Sequence, residues 1–161
     1  IRLMTCYLGP AHHPNVIAPR KRPRTTLSPS LAFRGGKPWM AFGSMGGDQQ
    51  DQWQLQMFLN CVLFGMTPQQ AIEAPKFSSE HFNGFFAPHD RYTNRVRIEE
   101  GVGQEVLDGL AALGHEVDAA PDWTEGYLLA ACRDPVTGML EAAADPRGTR
   151  GEVFPACALA W

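Results

Sequence analysis

Short apolar runs, interrupted by glycine and proline, are the main pattern along the chain. Residues 31–33 and 39–42 are apolar runs on either side of Gly35-Gly36, which is typical of a β-hairpin. Because the second run is apolar at every position, it predicts a central strand covered on both faces. The segment Gly43-Ser44-Met45-Gly46-Gly47 follows, and we predict that it is a tight turn leading into a helix.

A helical pattern begins near Gln50. Apolar residues at the spacing i, i+3, i+4, i+7, i+8 predict one helical face that packs on the sheet, formed by Leu55, Phe58, Leu59, Val62 and Leu63. Gly65 is expected to end this helix. The segment Thr67-Pro68-Gln69-Gln70 then provides an N-cap, a proline at the first helical position and a capping-box glutamine. A second, short helix is therefore predicted to end near Pro75.

The second half of the chain begins with a segment that lacks periodicity. Residues 76–94 hold four phenylalanines and few periodic signals, and we predict an ordered loop. Residues 95–99 alternate polar and apolar positions, which indicates a half-exposed strand. Apolar residues of the segment 102–113 predict an amphipathic helix, capped by Gly114 and followed by a strand from Glu116.

A second hairpin is predicted near the carboxyl end. Residues 127–132 are strongly apolar, residues 134–138 have the composition of a turn, and residues 139–144 are predicted to pair back. Together the elements predict a mixed α/β protein in which helices cover largely antiparallel, hairpin-built strands.

Composition agrees with one globular domain and excludes several classes of protein. The 161 residues are 44% hydrophobic and 19% charged, as in a folded domain. The formal net charge of −3 gives no basic field, and the cluster Arg20-Lys21-Arg22-Pro23-Arg24 is too short to indicate nucleic-acid binding. No apolar run approaches the roughly 20 residues that span a bilayer, and residues 1–5 lack the layout of a signal peptide. We therefore expect no nucleic-acid partner and no membrane span.

Two segments are expected along the chain. Residues 1–24 are predicted to form a loop-rich lead-in, because prolines at short intervals remove amide donors. Residues 25–161 are predicted to form one domain. The first residue is Ile1 rather than a methionine, so we expect a processed chain or a fragment.

Cysteines and histidines show no metal-binding pattern. The four cysteines are widely separated, without a Cys-x-x-Cys pair: Cys6, Cys61, Cys132 and Cys157. This spacing disfavours a zinc site or a disulfide framework and predicts reduced cysteines that act as small core residues. His12 and His13 are adjacent, and His81 and His89 are eight residues apart, so neither pair has a reliable metal-ligand spacing.

The glycine-rich turn is the main candidate for chemistry. Without β-carbons, Gly46 and Gly47 are free to adopt positive φ and to expose their amides, which a following helix orients as a positive dipole end. Such a turn suits an oxyanion, although a purely structural turn is the alternative. A nucleotide site is disfavoured because the segment lacks a P-loop lysine and the Gly-x-Gly-x-x-Gly spacing. Asp48 and Asp51 either hold a cation or cap the helix, and capping is favoured.

Five segments in order resemble one family. They are Lys21-Arg22-Pro23-Arg24-Thr25-Thr26-Leu27-Ser28-Pro29, Gly43-Ser44-Met45-Gly46-Gly47, Ala71-Ile72-Glu73-Ala74-Pro75-Lys76-Phe77, Gly114-His115-Glu116-Val117 and Ala144-Asp145-Pro146-Arg147. In this order and spacing they resemble the small, C-terminal subunit of the γ-glutamyltranspeptidase family, from about Asn15 to Gly148. The match looks closest to the branch in which Asp-Gln-Gln-Asp-Gln-Trp follows the glycine pair, here Asp48 to Trp53.

The resemblance implies an N-terminal-nucleophile hydrolase fold, an αββα sandwich that is incomplete in this chain. Family members are precursors that cleave themselves into a large and a small subunit. A threonine freed at the new N-terminus attacks a γ-glutamyl amide and passes the acyl group to water or an amine, without a metal or organic cofactor. The family's oxyanion glycines fall on Gly46 and Gly47, and its serine pair, which contacts the substrate α-carboxylate, falls on Thr25 and Thr26.

Two departures from the family pattern affect function. Threonines in place of serines keep the hydroxyls but add methyl groups, so a different acyl group is a second interpretation. The family's nucleophile and its acidic motif lie upstream of the serine pair and are missing from this chain; Thr5 and Cys6 lie too near Thr25 to replace the nucleophile. The chain is expected to supply the oxyanion hole and part of the pocket, and to be inactive alone. The alternative is a non-catalytic structural or interaction domain.

The expected partners follow from the resemblance. They are a small γ-glutamyl or acyl-amide substrate and the large subunit of the same precursor. Apolar surface left open by a missing partner also predicts that the chain alone self-associates.

Overall fold

The computed structural model describes residues 16–22, 25–85, 88–149 and 158–159. The expectations for most of the lead-in, including Thr5, Cys6, His12 and His13, lie outside these residues, and so does the expectation for Cys157. The described strands are β1 (Ser30–Arg34), β2 (Lys37–Ser44), β3 (Phe77–Ser79), β4 (Arg95–Glu99), β5 (Glu116–Ala120), β6 (Leu128–Arg133) and β7 (Leu140–Ala144). The described α-helices are α1 (Gln50–Leu63), α2 (Pro68–Glu73) and α3 (Gln104–Ala112).

Both predicted hairpins are confirmed, and they join into one sheet. The four strands have the order β1-β2-β6-β7, and each neighbouring pair is antiparallel. Gly35 and Gly36 form the first turn with φ of 57° and 77°, values that L side chains rarely adopt. The capping box of Thr67 and Gln70 is also confirmed at the start of α2.

A smaller sheet contains three strands in the order β3-β4-β5. Strands β4 and β5 are parallel, and α3 provides the crossover that parallel strands require. The prediction that residues 76–94 are only a loop is wrong at its start, because Phe77–Ser79 pairs with β4. Three residues are too few to show a period in sequence.

The main core lies between the four-stranded sheet and helices α1 and α2. Its buried residues come from both layers: Met40, Trp53, Met57, Ala71, Ile72, Leu128, Ala130, Cys132 and Ala143. Cys132 is buried in this core and Cys61 packs against it, as predicted for small core residues. Burial, with a contribution from the Glu141 carboxylate, raises the pKa of the Cys132 thiol to about 11.

The predicted core face of α1 is largely wrong. The fully buried residues of this helix are Gln50, Trp53, Gln54 and Met57, whereas Leu55 and Leu63 are 56% and 66% exposed. Phe58, from the predicted face, does contact the sheet through the Trp39 and Phe42 rings. The prediction was wrong because it placed every glutamine in solvent. Gln50 and Gln54 are instead buried, and their side-chain amides form hydrogen bonds with neighbouring segments.

Strand β2 is central in its sheet, but its predicted cover on both faces is wrong among the described residues. Met40 faces α1 and is 1% exposed, whereas the following Ala41 is exposed. On the same open face, Leu31 and Leu129 are 58% and 45% exposed. An apolar sheet face of this kind is suited to packing against another layer.

Glutamine side chains pair with the backbone at two sheet edges. The Gln56 amide both accepts from Phe77 N and donates to Phe77 O, and Gln52 does the same with Ser79. Gln69 of α2 pairs in this way with Ala144 at the end of β7. These side-chain amides bond to the strand backbone as a neighbouring strand would. The edge N–H and C=O groups of β3 and β7 at these positions are therefore hydrogen-bonded.

No helix among the described residues has both the length and the apolar character needed to cross a membrane.

Candidate functional site

The candidate site lies where β2 ends and α1 begins. Gly46 has φ of 139°, and a β-carbon on it would lie 3.3 Å from Cζ3 of Trp53. Glycine is therefore favoured here by the backbone conformation, and the ring beside it leaves little room for a side chain. The turn closes with a hydrogen bond of 3.3 Å from Gln50 N to Gly47 O.

The amides of this turn are available to a ligand. Within the described residues, neither the Gly46 N–H nor the Gly47 N–H donates a hydrogen bond. The N-cap residue of α1, Gln49, makes no side-chain capping bond, so the helix begins with uncapped donors. Free amides at the positive end of a helix are the arrangement that binds anions.

Residues Thr25 and Thr26 lie beside the glycine turn. A cavity of about 270 Å³ has Thr25, Thr26 and Gly47 in its wall. A second cavity of about 440 Å³ has Thr26 and Gly46 in its wall. The structure thus brings together the four predicted site residues, although about twenty positions separate the two pairs.

Gln50 links the two halves of the site and was missed in the sequence, where it marked only the helix start. Its Nε2 donates to Thr26 O at 2.8 Å and to Gly46 O at 2.7 Å. Its Oε1 accepts from Ser28 Oγ at 2.9 Å. The side chain is 4% exposed, so both ends of a buried amide are satisfied. The only sequence signal was its place in the segment Asp48 to Trp53.

The predicted capping role of Asp48 is wrong. Gln49 is the N-cap residue, and Oδ2 of Asp48 accepts instead from Phe85 N at 2.7 Å. This bond holds the buried Phe85 against the smaller cavity, whose wall contains both residues. Asp51 lies in the first turn of α1, where a carboxylate is stabilised by the helix dipole.

Within the part of the chain that the structure describes, neither a metal cluster nor a larger, apolar cavity belongs to this site. Among the described residues, no three His, Cys, Asp or Glu side chains are grouped to hold a metal ion. A larger cavity of about 830 Å³ is mostly apolar and has Phe77, Ile98, Val106 and Leu110 in its wall. It contains neither the threonines nor the glycine turn, so the catalytic candidate remains the two smaller cavities, of which the 270 Å³ cavity is mostly polar and the 440 Å³ cavity mostly apolar.

The architecture is that of an N-terminal-nucleophile hydrolase. The solved cephalosporin acylase from Bacillus halodurans has a TM-score of 0.78 and 27% identity, covering 99% of this chain and 27% of that chain. The solved structure of LmbA2991HD has a TM-score of 0.88 and 42% identity, with 99% and 27% coverage. The prediction of an α/β fold of this class is confirmed.

The family follows from the sequence comparison. The model of the gamma-glutamyltranspeptidase family matches residues 4–154, so the chain belongs to that family. The glutathione hydrolase-like YwrD proenzyme of Bacillus subtilis is 32% identical over 143 residues, covering 85% of this chain and 25% of that protein. The oxamate amidohydrolase proenzyme of Klebsiella pneumoniae is 33% identical over 137 residues, covering 84% and 25%. The chain spans about a quarter of the length of these relatives.

Proposed function

We propose that this chain is the C-terminal part of a self-processing amidohydrolase or acyltransferase, with residues 25–161 as its small-subunit domain. In this proposal Gly46 and Gly47 bind the oxyanion, and the hydroxyls of Thr25 and Thr26 bind the carboxylate of the acyl group. The observation that carries the proposal is the meeting of both pairs at two adjoining cavities, one polar and one mostly apolar, beside the uncapped start of α1.

The proposed reaction begins with a threonine supplied by the parent protein upstream of this chain. Its α-amine takes the hydroxyl proton as the oxygen attacks the amide carbon. Negative charge then develops on the carbonyl oxygen, where the free amides of Gly46 and Gly47 donate to it. Collapse expels the amine with the transferred proton and leaves an ester. Water or a second amine attacks that ester, which releases the acyl group and regenerates the threonine.

The names of the similar proteins agree on the type of bond that is cleaved but differ in the acyl group. One relative is named a glutathione hydrolase-like proenzyme and another an oxamate amidohydrolase proenzyme, and a structural neighbour is a cephalosporin acylase. These names share cleavage of an amide bond. We infer a γ-glutamyl or related carboxylate-bearing acyl amide, in a pocket narrowed by the methyl groups of Thr25 and Thr26. The large subunit of the same precursor is the proposed partner.

The test is an assay of the full-length, self-processed parent. It should hydrolyse at least one of γ-glutamyl-p-nitroanilide, oxamate and a series of acyl-p-nitroanilides. Replacing Gly47 by proline removes one amide donor and should lower kcat by roughly 100- to 1,000-fold. A processed, folded parent that is inactive on every substrate would reject the enzymatic proposal and favour a non-catalytic interaction domain.

A further inference from the structure

We propose that Gln50 is a positioning residue that sets the oxyanion donor and the substrate-binding hydroxyl together. The inference rests on the proposed function of Gly47 and Thr25. A glutamine near the start of a helix does not have this role in general. The role follows from the two carbonyl groups to which the Nε2 of Gln50 donates.

The first of these carbonyls belongs to the peptide that joins Gly46 to Gly47. A trans peptide is planar, and its N–H points opposite to its C=O. When Gln50 holds the Gly46 oxygen at 2.7 Å, it therefore also fixes the direction of the Gly47 N–H, away from the glutamine. Donation to the carbonyl polarises the same peptide, which strengthens the Gly47 amide as a donor.

The second carbonyl belongs to the peptide that joins Thr26 to Leu27. Gln50 holds the Thr26 oxygen at 2.8 Å, which fixes the Leu27 N–H by the same geometry. That N–H donates to Oγ1 of Thr25 at 3.1 Å. This bond uses one lone pair of the Thr25 oxygen and holds that oxygen in place, while the hydroxyl keeps its proton to donate to a carboxylate. One buried amide thus orients groups on both sides of the site.

Gln54 provides a matched control one helical turn further along. It is also 4% exposed, and it donates to Ser28 Oγ and accepts from Ser30 Oγ. Its partners are hydroxyls rather than the two peptides that carry the proposed donors. Substitutions of Gln54 therefore disturb the same helix and the same loop without releasing either peptide.

The experiment compares Q50E and Q50M with Q54E and Q54M in the self-processed parent. Glutamate keeps the size of the side chain and the acceptor for Ser28 but removes both donations, and methionine removes every polar bond. We expect about a 10- to 100-fold fall in kcat with a raised KM for both Gln50 variants. The Gln54 variants should keep the wild-type kcat and KM while losing a similar amount of thermal stability.

A second measurement does not depend on activity or on processing. Hydrogen exchange followed by mass spectrometry should show faster exchange at the amide of Leu27, which donates to Oγ1 of Thr25, in the Gln50 variants than in the Gln54 variants. Equal kinetics in the two sets, or unchanged exchange at the Leu27 amide, would overturn the role of Gln50. A wild-type parent without activity would instead reject the proposed function, and the exchange result would still decide the positioning role.

Discussion

The guanidinium of Arg147 donates two hydrogen bonds to the carboxylate of Glu99, 3.0 Å from Nε to Oε1 and 2.7 Å from Nη2 to Oε2. Both side chains are 1% exposed. The pair joins the end of β4 to the turn after β7. Glu99 also accepts from the backbone amides of Lys76, Thr124 and Glu125, so its charge is fully solvated by the protein.

We expect the Glu99 and Arg147 pair to be essential for stability. Replacing Arg147 by methionine leaves the buried Glu99 carboxylate without its guanidinium partner, and the free energy of unfolding should fall by about 3–5 kcal/mol. Replacing Glu99 by glutamine should cost less, because Arg147 keeps its ion pair with Asp145. Chemical denaturation of the purified protein measures this. The control is Asp118→Asn, which breaks a partly exposed pair with Arg97 and should cost less than about 1 kcal/mol. Equal losses for the Arg147 and Asp118 variants would contradict the expectation.

Because of Lys76, the free energy of unfolding should change with pH in the alkaline range. Burial lowers its pKa from 10.5 to about 8, although the Asp145 carboxylate opposes this shift. Between these two pKa values the unfolded chain binds more protons at this residue than the folded protein does. The contribution of Lys76 to the free energy of unfolding therefore rises with pH from about 8 to 10.5. Denaturation across this range should show the slope in the wild type, and K76M should lack it.

Alanine should destabilise the protein at Gly46 but not at Gly43. Gly46→Ala meets both a φ of 139° and the Trp53 ring, so a loss of about 1–3 kcal/mol is expected from the backbone strain alone. At Gly43 nothing lies within 4 Å of an added β-carbon, and Gly43→Ala should leave the Tm unchanged or raised. Thermal unfolding of both variants decides the matter, and a similar fall in Tm for both would refute it.

Gln52 should protect the backbone of the edge strand β3. Gln52→Met removes the acceptor of the Ser79 amide, bonded at 2.7 Å, so exchange of that amide should become faster and stability should fall by about 1 kcal/mol. Gln52→Glu keeps an acceptor oxygen and should retain the slow exchange of Ser79. Hydrogen exchange followed by mass spectrometry compares the Ser79 amide in the two variants. Equally fast exchange in both variants would show that the Ser79 amide depends on something else.

The chain expressed alone should self-associate through its open sheet face. Leu31, Phe33 and Leu129 are 58%, 59% and 45% exposed, and neighbouring apolar groups of this kind favour association. Light scattering should report species larger than a monomer. The double variant L31K/L129K should shift the distribution towards monomer, whereas lysine at the isolated, 91% exposed Val136 should not. A wild-type chain that stays monomeric at high concentration would contradict this prediction.

Local rules determined much of the fold from sequence alone. The turn at Gly35-Gly36, the capping box at Thr67 and Gln70 and the helix end at Gly114 each depend on residues within one turn of chain. Such features are set by backbone sterics and short-range hydrogen bonds, which the sequence states directly. The ordered motifs likewise indicate the family, because they depend on the sequence alone.

Only the tertiary structure decided which face of α1 is buried and what its glutamines do. Hydrophobic periodicity treats Gln50 and Gln54 as solvent-facing, but burial costs little once Ser28, Ser30 and two backbone carbonyls satisfy their amides. Those partners lie more than twenty residues away or across the glycine turn. A buried polar group is favourable only when the fold brings hydrogen-bond partners to it. The tertiary packing therefore decides that Gln50 bonds to both Thr26 and Gly46.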